Sequence, residues 1–235
     1  MTNEELFDYI YSQCPDKECE KRFYVINENG IQNCKCMPKL IHYKRYNDAN
    51  IPVEFWGFTS DDIEPEFDKN ILKNYNFFKN NIEKCIFNKV QFWFTGSNGL
   101  GKTTISLLML KDVLDSIHGY KGLILNAFEV ITMLYKDREN ELHDYDFIII
   151  DEFDKLKKST IDDFSNVVCS YMDKKSIVLS GNKSLKQLQE SGYPDFFLDR
   201  LEMFTKFEFK GKSFRKQMMS KFETLMKTQE NQEND

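Results

Sequence analysis

The sequence contains no apolar run near the ~18 residues that a membrane-spanning helix requires. No internal repeat is visible, so the chain is not read as an array of stacked units. There is no basic excess. Against 38 acidic residues stand 32 Lys and Arg, a net charge of −6, which argues against a protein coated in basic residues but leaves room for a local cationic groove. The opening residues, Met1-Thr2-Asn3-Glu4-Glu5, are acidic and lack the apolar core of a signal peptide, so the expectation is a cytosolic protein with no membrane partner. In a cytosolic chain, six cysteines favour metal binding or free thiols over disulfides. What is present is ordinary globular material. Its 41% hydrophobic and 30% charged residues in a length of 235 suit one domain with a sizeable core plus an appendage.

The chain is organised around one stretch, Phe92-Trp93-Phe94-Thr95-Gly96-Ser97-Asn98-Gly99-Leu100-Gly101-Lys102-Thr103-Thr104. A β-favouring apolar run ends at Gly96 and a helical pattern starts at Lys102, and the residues between fit G-x-x-x-x-G-K-[ST] without mismatch, the phosphate-binding loop. Glycines let successive backbone N–H groups turn inward toward phosphates. The first turn of the following helix adds unpaired N–H groups and its dipole. Gly96 to Thr104 would therefore cradle the nucleotide, with Lys102 reaching the β- and γ-phosphates and the Thr103 hydroxyl on Mg²⁺.

Around this loop the periodicity alternates. Residues 66–84 read as an amphipathic helix bearing Ile71, Tyr75, Phe78 and Ile82 at helical spacing. Strand 90–95 leads through the loop to helix 102–118, whose inward residues are Ile105, Leu108, Val113 and Ile117, with Gly119 as a stop. Strand 122–126, helix 127–136, strand 146–150, helix 159–174 and strand 176–180 follow. The continuous β-branched run in Phe147-Ile148-Ile149-Ile150 marks a strand buried on both faces. This βαβαβαβ order predicts an α/β fold with a parallel sheet between helices. Short helices at 184–191 and 194–203, a strand at 204–209, a helix at 213–229 and a disordered tail at 230–235 complete the reading.

Aspartate at the C-terminal end of a buried parallel strand lies where α/β sheets bind ligands. Asp151 occupies that place about 50 residues after the phosphate loop, suited to hold Mg²⁺, and Glu152 beside it suits a general base for the attacking water. Alone, such a pair is also what a strand ending in a solvated acidic turn looks like. Asn182 follows the next strand, where it can meet the γ-phosphate or serve only as a turn residue.

The N-terminal region has its own chemistry. Cys14-x4-Cys19 is followed after fourteen residues by Cys34-x-Cys36, enough thiolates for a tetrahedral zinc site. The stretch 22–31 reads as a strand running into an Asn-Gly turn, a β-ribbon able to bring the two pairs together. The alternative is four ordinary thiols, and His42 is a possible substitute ligand. Residues 2–13 read as a helix with Thr2 and Glu5 spaced for a capping box. Its Leu6/Phe7/Tyr9/Ile10 surface either docks on a partner or packs within its own small domain. Residues 37–50 form a short basic and aromatic helix. The predicted organisation is a module over 1–50, a linker over 51–65, a core over 66–229 and the tail over 230–235.

Taken together, the order of motifs resembles the AAA+ ATPases, and within them the bacterial and phage replicative-helicase loaders of the DnaC/DnaI type. Cys34-Lys35-Cys36, then Ile51-Pro52, then Gly96–Thr104 match that group's succession of zinc module, Ile-Pro segment and ATPase core. The resemblance covers nearly the whole chain. It departs at Cys14-x4-Cys19, where the group has C-x2-C. It implies an AAA+ core with a five-stranded parallel sheet and a reduced C-terminal lid, and a helicase-gripping N-terminal zinc module. It also implies Asn182 as sensor 1, Arg200 in Asp199-Arg200-Leu201 as an arginine finger acting on a neighbouring subunit's ATP, and Arg215 in Lys212-Ser213-Phe214-Arg215 as sensor 2. On this reading the chain is an ATP-dependent, Mg²⁺-requiring loader of a hexameric helicase onto single-stranded DNA, assembling as a spiral or ring when ATP is bound. Lys155, Lys157, Lys158, Lys206, Lys210, Lys212, Arg215 and Lys216 are candidates to track DNA phosphates. Two rivals share the phosphate loop. A transposition helper ATPase usually lacks the zinc module. A monomeric small-molecule kinase would need a basic lid pattern that is not evident here.

Overall fold

The computed structural model describes residues 1–213 apart from 16, 18, 29, 64–66, 117 and 212. Arg215, Lys212, Lys216, Ile117, the 213–229 helix expected to form the reduced lid and the 230–235 tail lie outside the described residues. The chain divides into two compact units, Met1–Phe58 and the remainder from Thr59.

The first unit holds α1 (Asn3–Ser12), a hairpin of β1 (Tyr24–Asn27) and β2 (Gly30–Asn33), and α2 (Met37–Asp48). The capping box forms as its spacing suggests: Thr2 accepts from the Glu5 N–H while Glu5 accepts from the Thr2 N–H. Leu6 and Ile10 are fully buried, so the apolar face of α1 serves its own unit and only Phe7 and part of Tyr9 remain at the surface. Trp56 anchors the other end. Its indole N–H donates to Ile51 O at 2.9 Å, and its ring stacks on Tyr43 at 4.9 Å and meets Tyr9 edge-on.

The second unit is a five-stranded parallel sheet in the order β4-β5-β6-β3-β7, built from β3 (Phe92–Thr95), β4 (Gly122–Asn126), β5 (Phe147–Asp151), β6 (Ser176–Gly181) and β7 (Thr205–Glu208). Alternation along the strands sends side chains to both faces. Trp93, Leu125, Ile148, Ile150, Ile177 and Leu179 pack with residues of α6 (Ala127–Tyr135), α7 (Lys158–Met172), α8 (Leu185–Glu190) and α9 (Asp195–Glu202). On the opposite face Phe78 of α3 (Lys69–Lys79) meets Phe92 and Phe147 at 5.5 and 5.6 Å. Helix α3 is tied to α5 (Lys102–Asp115) by the Tyr75 hydroxyl, which donates to Asp112 Oδ2 at 2.6 Å.

The helix expected over 66–84 is two. Helix α3 ends at Lys79 and α4 runs Ile82–Phe87. Asn81 breaks the ladder. Its side-chain N–H donates to Phe77 O at 2.8 Å, the local competition that disfavours asparagine within helices. Helix α5 likewise stops at Asp115, short of 118.

Candidate functional site

Strand β3 lies between β6 and β7, so the chain crosses two strand positions between β3 and β4, creating the switch point where open α/β sheets bind ligands. The register sets what meets there. Thr95 is opposite Gly181 and, one strand beyond, Ile150 is opposite Leu179. The phosphate loop, Asn182 and Asp151 therefore leave the sheet side by side.

The loop has the backbone its glycines permit. Gly96, Gly99 and Gly101 have φ of +141°, +78° and +86°, and Gly101 is the N-cap of α5. Two of them also make room for packing. A Cβ on Gly96 would lie 2.3 Å from Phe209 O, and one on Gly101 would lie 2.5 Å from the Phe67 ring. Leu100 is buried, while Ser97 and Asn98 are exposed and Thr104 is half-buried.

Lys102 is buried, and its ammonium donates to Gly96 O at 2.7 Å, Ser97 O at 2.9 Å and Asn182 Oδ1 at 2.8 Å. The Thr103 hydroxyl donates to Asp151 Oδ2 at 2.7 Å. A hydroxyl and a carboxylate in contact beside a lysine are the hard oxygen donors that Mg²⁺ takes in phosphate-loop proteins. Glu152, next to them, is exposed, has φ +56°, and is held by the Lys155 ammonium. A non-glycine residue in the left-handed region costs of order 1–2 kcal/mol and turns the glutamate out of the strand direction.

Arg200 is elsewhere. Its guanidinium donates to Cys169 O at 3.0 Å and lies 3.6 Å from Asp173, at the C-terminal end of α7, where a cation complements the helix dipole. Helix α7 starts near the Asp151–Glu152 edge, so its length separates Arg200 from that edge by about 17 Å. Among the candidate DNA-binding lysines, Lys155 is engaged by Glu152, Lys210 lies 3.0 Å from Glu208, and Lys206 lies over the Trp93 ring.

In the first unit the thiols of Cys14, Cys19, Cys34 and Cys36 converge, all Sγ atoms lying within 4.8 Å of one another and all four residues buried. Cys14 and Cys34 are 3.5 Å apart and Cys19 and Cys36 are 3.7 Å apart, close to the ~3.8 Å edge of a tetrahedron with zinc–sulfur bonds of ~2.3 Å. Burial pushes the Cys36 thiol well above its usual range, with the neighbouring thiols adding to the effect. Around Cys19 the backbone is left-handed at several non-glycine residues: Lys17, within the first spacing, and Glu20, Lys21 and Phe23 after it all have φ between +46° and +67°. His42 is not part of the cluster and packs on the Tyr46 ring at 4.5 Å.

Three contributors were not visible in the sequence pattern. Phe67 and Phe209 wall the phosphate loop, and Asp154 is a buried carboxylate beyond Glu152. Packing partners from distant parts of the chain leave no local signal, although the Asp-Glu-x-Asp spacing hints at Asp154.

No family model matches the sequence, and no curated protein matches it. In fold the chain is similar to a solved structure of DnaI, with TM-score 0.54 and 15% identity over 69% of this chain and 93% of that one. It is similar to the DnaC helicase loader, with TM-score 0.55 and 17% identity over 68% of this chain and 100% of that one. It is also similar to the replication initiator DnaA bound to AMPPCP and single-stranded DNA, with TM-score 0.54 and 18% identity, covering 66% of this chain and 50% of that chain. The fold of the sheet unit is therefore the one these solved DnaI, DnaC helicase loader and DnaA structures share.

Proposed function

We propose that this chain is an ATPase that loads a hexameric replicative helicase onto single-stranded DNA during replication initiation. The observation that carries this reading is the meeting of Lys102 with Asn182 and of Thr103 with Asp151 at one edge of the sheet. The four-thiol unit, on the same chain, adds the part that a helper ATPase of transposition usually lacks.

Each residue has a task that its surroundings suit. Lys102 binds the β- and γ-phosphates by exchanging loop carbonyls for charged oxygens, a charge-assisted and stronger contact. Thr103 and Asp151 would hold Mg²⁺, which supplies charge neutralisation across the phosphates. Glu152, once released by Lys155, takes the proton of the attacking water. Asn182 orients that water or the γ-phosphate. Arg200 faces away from its own loop and would serve a neighbour's ATP in a spiral or ring, with Arg215 as the sensor-2 arginine. Zinc on Cys14, Cys19, Cys34 and Cys36 would fold the first unit, which would grip the helicase.

The test is a helicase-dependent assay. The purified chain should hydrolyse ATP, bind the replicative helicase of its own host or phage through residues 1–58, and speed helicase loading on single-stranded DNA coated with binding protein. ATPase activity that responds to a transposase and ignores the helicase would reject the loader reading while keeping the ATPase.

A further inference from the structure

Asp154 carries a role that none of the motifs assigns. It follows Glu152 in a short 3₁₀ turn, Phe153–Lys155, and is 3% exposed. Its Oδ2 accepts from two successive backbone N–H groups, Asn182 at 2.8 Å and Lys183 at 3.1 Å. Its Oδ1 finds no hydrogen-bond partner among the described residues and lies 3.1 Å from the position a Cβ on Gly181 would take. A Cβ at residue 181 would crowd both the Phe153 ring, at 3.0 Å, and this carboxylate.

We propose that Asp154 is a positioning residue that fixes the Asn182 loop against the phosphate loop. The route is short. The carboxylate clamps the Asn182 backbone, and the Asn182 side-chain oxygen then meets the Lys102 ammonium at 2.8 Å. The clamp is anchored behind, because the buried Tyr193 hydroxyl donates to Phe153 O. The turn that carries Asp154 begins at Glu152, the residue with φ +56°. A single rigid turn therefore sets two groups: Glu152 directly and Asn182 through Asp154. A carboxylate suits this task better than a hydroxyl. One of its oxygens accepts two N–H groups at once, and its charge strengthens both. Core packing alone would not explain an acid here, since an unpartnered oxygen in an apolar setting is unfavourable.

The inference rests on the ATPase reading for its consequence and on the described contacts for its geometry, and the experiment separates the two. In the full chain, Asp154→Ala should lower kcat for ATP about 10- to 100-fold, the effect of displacing a positioned group by about 1 Å. The KM for ATP should move less than about 3-fold, because the phosphate loop is intact. Asp154→Asn, which retains an acceptor oxygen, should recover most of the loss. In a double-mutant cycle, Asp154→Ala added to Asn182→Ala should cost nothing further. Hydrogen exchange at the amides of Asn182 and Lys183, measured without nucleotide, should accelerate in Asp154→Ala relative to Leu179 in the same strand. Should Asp154→Ala not fold, Asp154→Ser replaces it, being too short to hold both N–H groups. Losses that multiply in the cycle, or exchange at both amides unchanged from wild type, would overturn the proposal. A wild-type chain without ATP turnover would instead reject the ATPase reading, and the exchange measurement would then decide the Asp154 clamp alone.

Discussion

Replacing Gly96 by alanine tests how closely the phosphate loop is bound to the outer strand. The new Cβ would stand 2.3 Å from Phe209 O and 3.0 Å from Phe209 Cβ. The obstacle is backbone, and that backbone is itself fixed, since Phe209 N–H donates to Thr95 O at 2.8 Å. Alanine must also adopt φ +141°, a region nearly confined to glycine, at a cost of about 1–3 kcal/mol. Overpacking adds about 1–3 kcal/mol as the strand shifts. The expected destabilisation is about 3 kcal/mol or more, a fall in Tm of roughly 6–12 °C for a chain of this size. Gly119→Ala is the control. It also has positive φ, +67°, but a Cβ there meets nothing within 4 Å, so only strain of about 1 kcal/mol remains. Urea unfolding followed by circular dichroism gives both values. Equal stability of the two variants would refute the clash argument, and Gly96→Ala should in addition lose ATP affinity.

Lys102→Ala should abolish measurable ATP binding by fluorescent-nucleotide titration, because the loop then has no cation facing the phosphates; undiminished ATPase would refute its role. Glu152→Gln should keep ATP bound and lose turnover by about 10²–10⁴-fold, since an amide cannot accept the water's proton. Anaerobically purified protein should contain one zinc per chain by elemental analysis, and chelation should melt residues 1–58 while the sheet unit keeps its circular dichroism; absence of stoichiometric metal would count against the site. Mixing Lys102→Ala with Arg200→Ala should restore ATPase activity if the guanidinium acts across a subunit interface, whereas co-assembly without recovery would leave Arg200 as a cap of α7. Tyr75→Phe should destabilise by about 1.5–3 kcal/mol at neutral pH. Burial already raises the Asp112 carboxyl and the Tyr75 hydrogen bond opposes this, so the cost should shrink as pH falls and Asp112 becomes protonated in both proteins. A pH-independent cost would show that lost packing dominates.

Much of the site was legible because its chemistry is local. The phosphate loop, the β-branched run before Asp151 and the Thr2/Glu5 capping box each lie within a dozen residues, and backbone geometry follows from such spacings. Burial of Ile105, Leu108 and Val113 likewise follows from helical period. The break at Asn81 is silent in the pattern because the apolar spacing of Ile71, Tyr75, Phe78 and Ile82 continues across it, while the interruption comes from one side chain competing for Phe77 O. Convergence of the cysteines was legible as a possibility. The path that brings them within 4.8 Å of one another includes left-handed φ at Lys17, Glu20, Lys21 and Phe23, a conformation that no propensity scale assigns to lysine, glutamate or phenylalanine. Asp154, Phe67 and Phe209 act on the loop across long stretches of chain, where sequence spacing carries no information.

The interior position of β3, between β6 and β7, bears on how the protein is made. Strand β4 can pair with β5 after only the intervening helix has been synthesised, with Gly122 opposite Phe147. Strand β3 has no such local partner. Phe92 pairs with Val178 on one side and Thr205 on the other. Contacts so distant in sequence are slow to form, since loop-closure entropy is spent before they contribute. During N-to-C synthesis the strand that carries the phosphate loop must wait for most of the chain, and its outer flank waits for β7. The apolar Phe92-Trp93-Phe94 segment is exposed through that interval. The candidate site is thus the last part of the sheet to close, and a ribosome-bound chain truncated before β6 would have its β4–β5 pairing but not the β3–β6 pairing that brings Asn182 to the phosphate loop.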